Sequence, residues 1–409
     1  MKVRIQIGVV LLLILTACRR PMPERGVWRG TVELGGETLL SFRMNLDLSG
    51  AEPRGHFLVG EEQTPIPEIL RVGDSLTFNF SEYGAEMRGT WNGSQWSGEY
   101  IRHRSGGSKS FRFSASPSPA GAEDAAAEAS SLKLPVGNYA VHFQDEDRPG
   151  QTLAKFWESG RSIHGTFIAP DGDYGLLVGK PAGSRIQMER FTGWQAIVIM
   201  LEPAGETWSG QFFAASNDKP RSFVLQPRGD LTTNPKIGPT TTIKNPAAPF
   251  SFSGLSVSGE TVRSTDNRFK GKALIVDIMG TWCHNCLDAA PVLQKLQDDF
   301  GKDRLEVVGL SFEISDDPEL GRKNLKLYKD RFGLTYTLLF CGGLDDANVE
   351  KRLHSQLHNF FAYPTTLFIR PNGTVKAIHS GFRGPGTGEE FQLQVQEFRE
   401  LTEQLLSGR

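Results

Sequence analysis

Residues 273–300, ALIVDIMGTWCHNCLDAAPVLQKLQDDF, decide the fold of the C-terminal part of this chain. The first seven residues are mostly apolar and partly β-branched, which predicts a buried strand. A helical pattern then runs from Cys286 to about Phe300, so Cys283 and Cys286 open a helix. Unpaired N–H groups and the positive end of the helix dipole favour a thiolate at that position. Since a thiolate attacks disulfides and a second thiol one turn further on can resolve the mixed disulfide, the stretch predicts a redox site.

The chain beyond this stretch continues to alternate strands with helices. The pattern predicts further elements in this order: strand Leu305–Ser311, helix Glu319–Phe332, strand Tyr336–Cys341, helix Asp345–Phe360, a hairpin of Thr366–Ile369 with Val375–His379, and helix Glu389–Leu406. Strand–helix alternation with a final hairpin is typical of an α/β sheet with helices on both faces. We therefore predict one α/β domain over residues 248–409, here called the C-terminal domain.

The chain before residue 229 has a different, repeated pattern. Short segments alternate apolar and polar residues between Gly, Asn, Asp and Ser, which predicts antiparallel sheets with one solvated face. Four motifs recur at offsets of 110 to 112 residues: Gly26-Val27-Trp28 with Gly137-Asn138-Tyr139, Arg54–Phe57 with His164–Phe167, Trp96–Tyr100 with Trp208–Phe212, and Ser110-Phe111 with Ser222-Phe223. We therefore predict a tandem duplication of one antiparallel β-sandwich or barrel of about a hundred residues, with the matched aromatic residues in its core.

Two linkers are predicted between these domains. Residues 115–133 begin with a Ser/Pro run and continue with Ala and Glu, and residues 229–247 are rich in Thr and Pro. Both compositions are typical of flexible tethers. The first β region then covers residues 19–114, and the second β region covers residues 134–228.

The C-terminal domain resembles the thioredoxin-like TlpA/ResA group of thiol–disulfide oxidoreductases. The resemblance covers residues 248–409 and rests on four motifs: Gly280-Thr281-Trp282-Cys283-x-Asn285-Cys286, Tyr363-Pro364-Thr365-Thr366, Asn372-Gly373, and HSGFRGPGTG at 379–388. The last motif is associated with a lipoprotein branch of the group. The chain is then expected to be multidomain, with two tandem antiparallel β-sandwich or barrel domains followed by an α/β thioredoxin-like domain.

The resemblance assigns roles to individual residues. It implies that Cys283 is the attacking nucleophile, that Cys286 is the resolving thiol, and that the two form a redox-active disulfide. It implies a cis peptide bond at Pro364, which places the backbone of Tyr363 beside the cysteines. Trp282, Tyr363 and Pro364 would then contact an extended substrate segment. No cofactor and no bound metal are expected.

Asp277 lies six residues before Cys283, which is the spacing of the buried aspartate in thioredoxin. Strand alternation places it on a buried face near the cysteine helix. A desolvated carboxyl group has a raised pKa, so Asp277 could carry a proton to or from Cys286. The alternative is a carboxylate satisfied by local hydrogen-bond donors.

Two residues between the cysteines depart from the usual pattern of the group. Asn285 stands where most relatives have proline, and His284 occupies the first variable position. An imidazolium beside a thiolate would lower the thiol pKa and make the disulfide more oxidising, whereas a solvent-facing His284 would have little effect. Ala289 stands where cytochrome c maturation members often have glutamate, which weakens an assignment to haem-apoprotein reduction. The direction of electron flow therefore stays open.

Residues 1–18 have the pattern of an export signal. A basic start and a short apolar core end in Leu15-Thr16-Ala17-Cys18, which is similar to a bacterial lipobox. The similarity implies cleavage before Cys18 and its lipidation, and several acyl chains would give stable anchoring in a membrane. An ordinary signal peptide with an incidental Cys18 is the alternative. We expect a lipid-anchored protein of the cell envelope on the periplasmic side, with the outer membrane favoured because Arg19, not Asp, follows the cysteine.

The composition bears on several other classes of function. The 409 residues carry a formal net charge of −2 with both signs mixed, so no basic stripe indicates nucleic acid as a partner. Four cysteines are too few for a disulfide scaffold in a chain of this length. Cys341 lies in an apolar, strand-like run, where it is either a small buried hydrophobe or a third redox thiol. His354 and His358 have the i, i+4 spacing of metal ligands, but no third ligand is evident and a solvated helix face is favoured.

These patterns favour an envelope-anchored thiol–disulfide oxidoreductase that reduces protein disulfides. In an oxidising compartment its Cys283/Cys286 dithiol needs electrons from a membrane donor of the DsbD/CcdA type, and the β regions act as a spacer or docking module. The first alternative is a thiol oxidase or isomerase. The second is a non-catalytic binding lipoprotein, for copper among other ligands, although copper-binding relatives space their cysteines by three residues rather than two.

Overall fold

The computed structural model describes residues 20–36, 38–104, 107–119, 132–145, 152–229 and 240–407. The predicted leader, including Cys18, and parts of both predicted linkers lie outside these ranges. No helix in the described ranges is both long enough and apolar enough to span a membrane.

The first β region forms a nine-stranded antiparallel sheet. Its strands are β1 (Arg25–Gly35), β2 (Thr38–Asp47), β3 (Arg54–Val59), β4 (Glu62–Pro65), β5 (Glu68–Val72), β6 (Ser75–Phe80), β7 (Ala85–Trp91), β8 (Trp96–Arg104) and β9 (Gly107–Pro117). They lie in the order β4-β3-β2-β1-β9-β8-β7-β6-β5. Along β2 every second side chain is buried, so one face of the sheet lines a core that contains Trp28 and Trp96.

The second β region is a closed sheet. Its strands are β10 (Gly137–Phe143), β11 (Thr152–Ser159), β12 (Ser162–Ala169), β13 (Gly172–Asp173), β14 (Leu177–Ala182), β15 (Arg185–Phe191), β16 (Ala196–Ala204), β17 (Thr207–Ala214) and β18 (Arg221–Arg228). The order is β11-β10-β18-β17-β16-β15-β14-β12-β13, and a further pairing joins β11 to β12. This pairing closes eight strands into a barrel, with β13 attached to β12.

The repeated sequence motifs occupy corresponding strands of the two β regions. Trp28 lies on β1 and Tyr139 on β10, while Trp96 lies on β8 and Trp208 on β17, and all four rings are buried. These four matched aromatic residues are core residues, as predicted, whereas Phe111 is only partly buried against the core. Strand β9 continues to Pro117, three residues into the predicted linker, because its end still pairs with β1.

The C-terminal domain is built on a seven-stranded mixed sheet. Its strands are β20 (Ser253–Ser256), β21 (Thr261–Arg263), β22 (Ala273–Met279), β23 (Leu305–Glu313), β24 (Thr337–Gly343), β26 (Thr365–Ile369) and β27 (Val375–Ser380), while β19 (Thr242–Ile243) and β25 (Leu357–His358) form a separate pair. The helices are α1 (His284–Phe300), α2 (Pro318–Phe332), α3 (Asp346–Val349) and α4 (Glu389–Leu406). The sheet order is β21-β20-β24-β23-β22-β26-β27. Strands β22, β23 and β24 run parallel, and β26 and β27 form the predicted closing hairpin.

Strand β22 is buried along its whole length at the centre of this sheet. Ile275 belongs to the same core as Leu293 of α1 and Phe398 of α4. Val276, which points the other way, belongs to a second core with Phe269. The residues of β22 therefore face two separate cores, as expected for a central strand of an α/β sheet.

The helix predicted over 345–360 is wrong for most of its length. Helix α3 ends at Val349, a π-helical turn covers Glu350–His354, and the chain then enters β25. The physical reason is the pairing of β25 with β19, which comes from the segment predicted to be a linker. His354 and His358 consequently do not share a helix face, and the i, i+4 metal arrangement does not form.

Candidate active site

The two cysteines of the predicted redox site form a disulfide at the start of α1. Cys283 is the residue that caps the helix, and its Sγ accepts a hydrogen bond from the backbone N–H of Cys286 at 3.3 Å. Cys283 is 6% exposed and Cys286 is fully buried. The sequence-predicted position of both sulfurs at a helix N-terminus is therefore observed, and the pair can cycle between disulfide and dithiol.

The residues predicted to contact substrate lie beside Cys283. The peptide bond between Tyr363 and Pro364 is cis, and the Tyr363 carbonyl oxygen lies 3.3 Å from Cys283 Sγ. The Trp282 ring makes an edge contact with the Tyr363 ring, with centroids 5.4 Å apart, and its Nε1 donates to the Phe312 carbonyl at 2.8 Å. A backbone oxygen and two aromatic rings thus border the sulfur that would meet a substrate disulfide.

Asp277 is buried on β22, with 2% of its surface exposed. The Thr366 hydroxyl donates to its Oδ1 at 2.9 Å. Burial raises the pKa of Asp277 to about 7, and the Thr366 hydrogen bond opposes that rise without cancelling it. A carboxyl group that titrates near neutrality suits proton exchange with a thiol, so the predicted role of Asp277 in serving Cys286 has the required chemistry.

Glu313 is a second buried carboxyl group at the site, and it was not predicted from the sequence. It accepts hydrogen bonds from the Thr281 N–H at 3.1 Å, from the Thr281 hydroxyl at 2.7 Å, and from the Ser311 hydroxyl. Burial raises its pKa despite these hydrogen bonds. The signal in the sequence was a single acidic residue after the apolar run of β23. Its effect is to fix the loop that carries the cysteines.

His284 lies where the two β regions meet the C-terminal domain. Its Nε2 is 3.5 Å from a carboxylate oxygen of Asp288 and 4.0 Å from one of Asp173. Next to them Arg190, which is 1% exposed, forms a bidentate pair with Glu62 at 2.7 and 2.8 Å. These residues come from both β regions and from α1, so no local sequence pattern could bring them together.

The structure bears on both interpretations of the side chain of His284. It is 15% exposed, so it does not face solvent. Burial, and after it the charge of Arg190, lower the pKa of His284 to about 3, although the charge of Glu62 opposes both. A pKa well below 7 favours the neutral imidazole of His284 in the disulfide form, which disfavours an imidazolium beside the cysteines.

Replacing His284 by glutamine is therefore expected to change the apparent pKa of the Cys283 thiol by less than about half a unit. A neutral ring contributes no charge that the substitution could remove. The measurement is the rate of iodoacetamide alkylation of the reduced protein between pH 5 and 8. A rise of the thiol pKa by about one unit or more would instead show that His284 is charged in the reduced protein.

Asp173, His284 and Asp288 also form the one group within the described ranges whose potential metal-ligand atoms all lie within 4.8 Å of one another. Two carboxylates and an imidazole are acceptable ligands for several divalent cations. The buried Arg190 guanidinium, however, acts electrostatically on all three groups. A cation would be repelled by it, and we assign no metal to this cluster.

Asn285 and Cys341 complete the predicted residues. Asn285 contacts the second β region, where a Cβ added to Gly172 would lie 1.8 Å from its Nδ2.

Cys341 is a free thiol, 2% exposed, and burial raises its pKa to about 12. A thiol with that pKa is not a thiolate at neutral pH, which fits the interpretation of Cys341 as a buried hydrophobe.

Comparison with known proteins gives matches to redox proteins. The sequence model of the AhpC/TSA family matches residues 243–378. The chain is 29% identical over 130 residues to the thioredoxin-like protein YneN of Bacillus subtilis, covering 32% of this chain and 68% of that protein. It is 24% identical over 145 residues to the thiol–disulfide oxidoreductase ResA of Halalkalibacterium halodurans, covering 36% and 69%.

One solved structure similar to this chain is a thiol:disulfide interchange protein of the thioredoxin family from Chlorobium tepidum TLS. The two are 21% identical, with a TM-score of 0.29, and the similarity covers 40% of this chain and 97% of that one. The thiol–disulfide oxidoreductase ResA of Geobacillus thermodenitrificans is 28% identical over 128 residues, which is 31% of this chain and 63% of that protein.

Proposed function

We propose that the protein reduces disulfides of other proteins through its Cys283/Cys286 dithiol, as a thioredoxin-like thiol–disulfide oxidoreductase of the TlpA/ResA group. The match of its C-terminal domain to the AhpC/TSA family and its similarity to YneN and ResA support this. The observation that carries the proposal is the disulfide at the start of α1 with the cis Tyr363–Pro364 bond beside it. This arrangement places the N-terminus of α1 behind the attacking sulfur and the backbone carbonyl of Tyr363 beside it.

The proposed reaction has two steps. The Cys283 thiolate attacks one sulfur of a substrate disulfide, so that a mixed disulfide forms and one substrate thiolate leaves. Cys286 then gives up its proton, for which Asp277 is the proposed acceptor, and attacks Cys283 Sγ. The second substrate thiol is released and the Cys283–Cys286 disulfide forms. Two electrons pass from the dithiol to the substrate in each cycle.

Each cycle leaves the protein oxidised, so a reductant has to restore the dithiol. We propose a membrane electron donor of the DsbD/CcdA type, because a protein relay is required in an oxidising compartment. Burial and the charge of Arg190 lower the pKa of His284, which disfavours the imidazolium that would make the disulfide more oxidising and so supports the reductive direction.

The proposed location is the cell envelope. Its support is the leader of residues 1–18, whose lipobox-like end implies lipidation of Cys18 and an anchor on the periplasmic side, at the outer membrane in preference to the inner one. We also propose that the two β regions are tandem copies of one domain that act as a spacer or docking module. The corresponding positions of their repeated motifs support this.

The reduction potential of the Cys283–Cys286 couple tests the direction of electron flow. We expect a value near that of thioredoxin, about −270 mV, together with reduction of insulin by the dithiol form. The measurement is equilibration with glutathione or dithiothreitol buffers, followed by thiol alkylation. A potential near about −120 mV would identify a thiol oxidase instead, and copper bound by the reduced protein would favour the binding lipoprotein.

A further inference from the structure

Residues 170–173, the turn after β12 together with the short strand β13, lie against the redox site and are here called the tip. The Gly172 backbone forms a parallel bridge with Phe382, and the Gly384 N–H donates to the buried Asp173 carboxylate. The contact with Asn285 is so close that no side chain fits on Gly172, since its Cβ would also lie 2.9 Å from the Phe382 carbonyl oxygen. The tip therefore touches the CxxC motif and the segment after β27 together.

The tip leaves little room for a protein substrate beside Cys283. Forming a mixed disulfide requires a foreign sulfur at about 2.05 Å from Cys283 Sγ, with the rest of its chain beside Tyr363. Cys283 is nearly completely buried in the full chain. The tip packs against Asn285, two residues along the same motif, so we expect a folded partner to meet the second β region before it reaches the sulfur.

The closed arrangement also leaves polar atoms without partners. Asn285 Oδ1 is buried without a hydrogen bond to any residue in the described parts of the chain. His284 Nε2 also makes no hydrogen bond there and has only carboxylate oxygens of Asp288 and Asp173 at 3.5 and 4.0 Å. Buried polar atoms without partners destabilise the state that buries them, and both would be hydrated if the second β region moved away. The favourable contacts of the tip are thus partly offset by the free-energy cost of burying polar atoms of His284 and Asn285. Such a balance is expected for an interface that can open.

We propose that the tip at 170–173 is a gate that determines which disulfides and dithiols reach Cys283, excluding compact proteins more strongly than small molecules. The inference rests on the proposed function, because a gate matters only if the disulfide exchanges with other proteins. Asp173 and Gly172 are positioning residues of this gate and do not touch the reacting sulfurs.

The experiment replaces Gly172 by alanine in the full chain and measures how fast the Cys283–Cys286 disulfide is reduced. The two reductants are dithiothreitol, which is small, and reduced thioredoxin, which is a folded protein. The added methyl group cannot fit against Asn285, so the gate opens more often. We expect the ratio of the thioredoxin rate to the dithiothreitol rate to rise roughly tenfold, as a shift of about 1.4 kcal/mol in the opening equilibrium would produce.

Gly137→Ala is the matched control. Gly137 belongs to the same β region and has a similar backbone angle, φ +130° against +143° for Gly172, but a Cβ there would meet nothing within 4 Å. Both substitutions therefore impose similar backbone strain, and only one disturbs the gate. We expect the control to keep the wild-type rate ratio.

Asp173→Ala provides a second route if Gly172→Ala does not fold. It removes the acceptor of the Gly384 N–H and is expected to raise the same ratio. If the ratio of the thioredoxin rate to the dithiothreitol rate is unchanged in the folded variants, the proposed gate is refuted. These measurements follow the protein's own disulfide, so their outcome is independent of whether it reduces insulin: a raised ratio without insulin reduction would retain the gate and reject the proposed function.

Discussion

Cys283→Ser is expected to lower the rate of insulin reduction by roughly a thousandfold or more, because a serine hydroxyl cannot replace the thiolate as nucleophile. Cys283 holds the sulfur next to the Tyr363 carbonyl, whereas Cys286 is fully buried behind it. The buried sulfur cannot take over the first attack. The measurement is the turbidity of the reduced insulin chains with dithiothreitol as electron source.

Cys286→Ser should fail at the second step instead. Cys283 still attacks, but no resolving thiol follows, so a covalent complex with the substrate accumulates and is released by added dithiothreitol. Non-reducing electrophoresis detects it. Cys341→Ser is the matched control and should behave as wild type, since Cys341 is buried on β24. Insulin reduction that survives both Cys283→Ser and Cys286→Ser would refute the proposed function.

The sequence predicted the part of the site that depends on local patterns. The apolar run of β22 and the helical period of α1 follow each other closely in the chain, so the position of Cys283 and Cys286 could be predicted from them. Pro364 and Asp277 were found through their spacing from these cysteines in a resembling group. In each case the information lies within a short stretch or in a motif at a fixed distance.

The surroundings of the site could not be predicted, because they depend on contacts between distant parts of the chain. Glu62, Arg190 and His284 meet although more than ninety residues separate each from the next, and no period in the sequence encodes this. The burial of His284 follows from that meeting, so the sequence could not decide between a charged and a solvent-facing side chain. The helix predicted over 345–360 failed for a similar reason, since the pairing of β25 with β19 overrode local helical propensity.

Asp277→Asn is expected to change how the free energy of unfolding of the C-terminal domain depends on pH. Burial raises the pKa of Asp277 from 3.8 to about 7. Between these values the folded domain retains a proton that the unfolded chain has lost, so wild-type stability falls as pH rises, by about 1.4 kcal/mol per unit and up to about 4 kcal/mol in all. The asparagine variant avoids this loss, because its side chain is neutral throughout and can still accept the Thr366 hydrogen bond.

Asp277→Asn should therefore gain stability over wild type progressively from pH 4 to pH 7 and hold that gain above pH 8. With Cys18→Ser in the background, Cys341 is the only free thiol of the oxidised chain, and its labelling in urea reports unfolding of the C-terminal domain alone. The surface residue Asp299, whose pKa is lowered chiefly by its hydrogen bond from Arg399, is the control: Asp299→Asn should show no such gain.

The carboxyl group of Asp277 should also affect the pH dependence of the second reaction step. If deprotonated Asp277 takes the proton from Cys286, the rate at which Cys286 resolves a mixed disulfide rises with pH through about 7 in the wild type. In Asp277→Asn that rise should disappear and the rate should be lower above pH 7. A stabilised variant with an unchanged pH profile would show that Asp277 is only a buried acid, whereas loss of the rise would assign it the proton transfer.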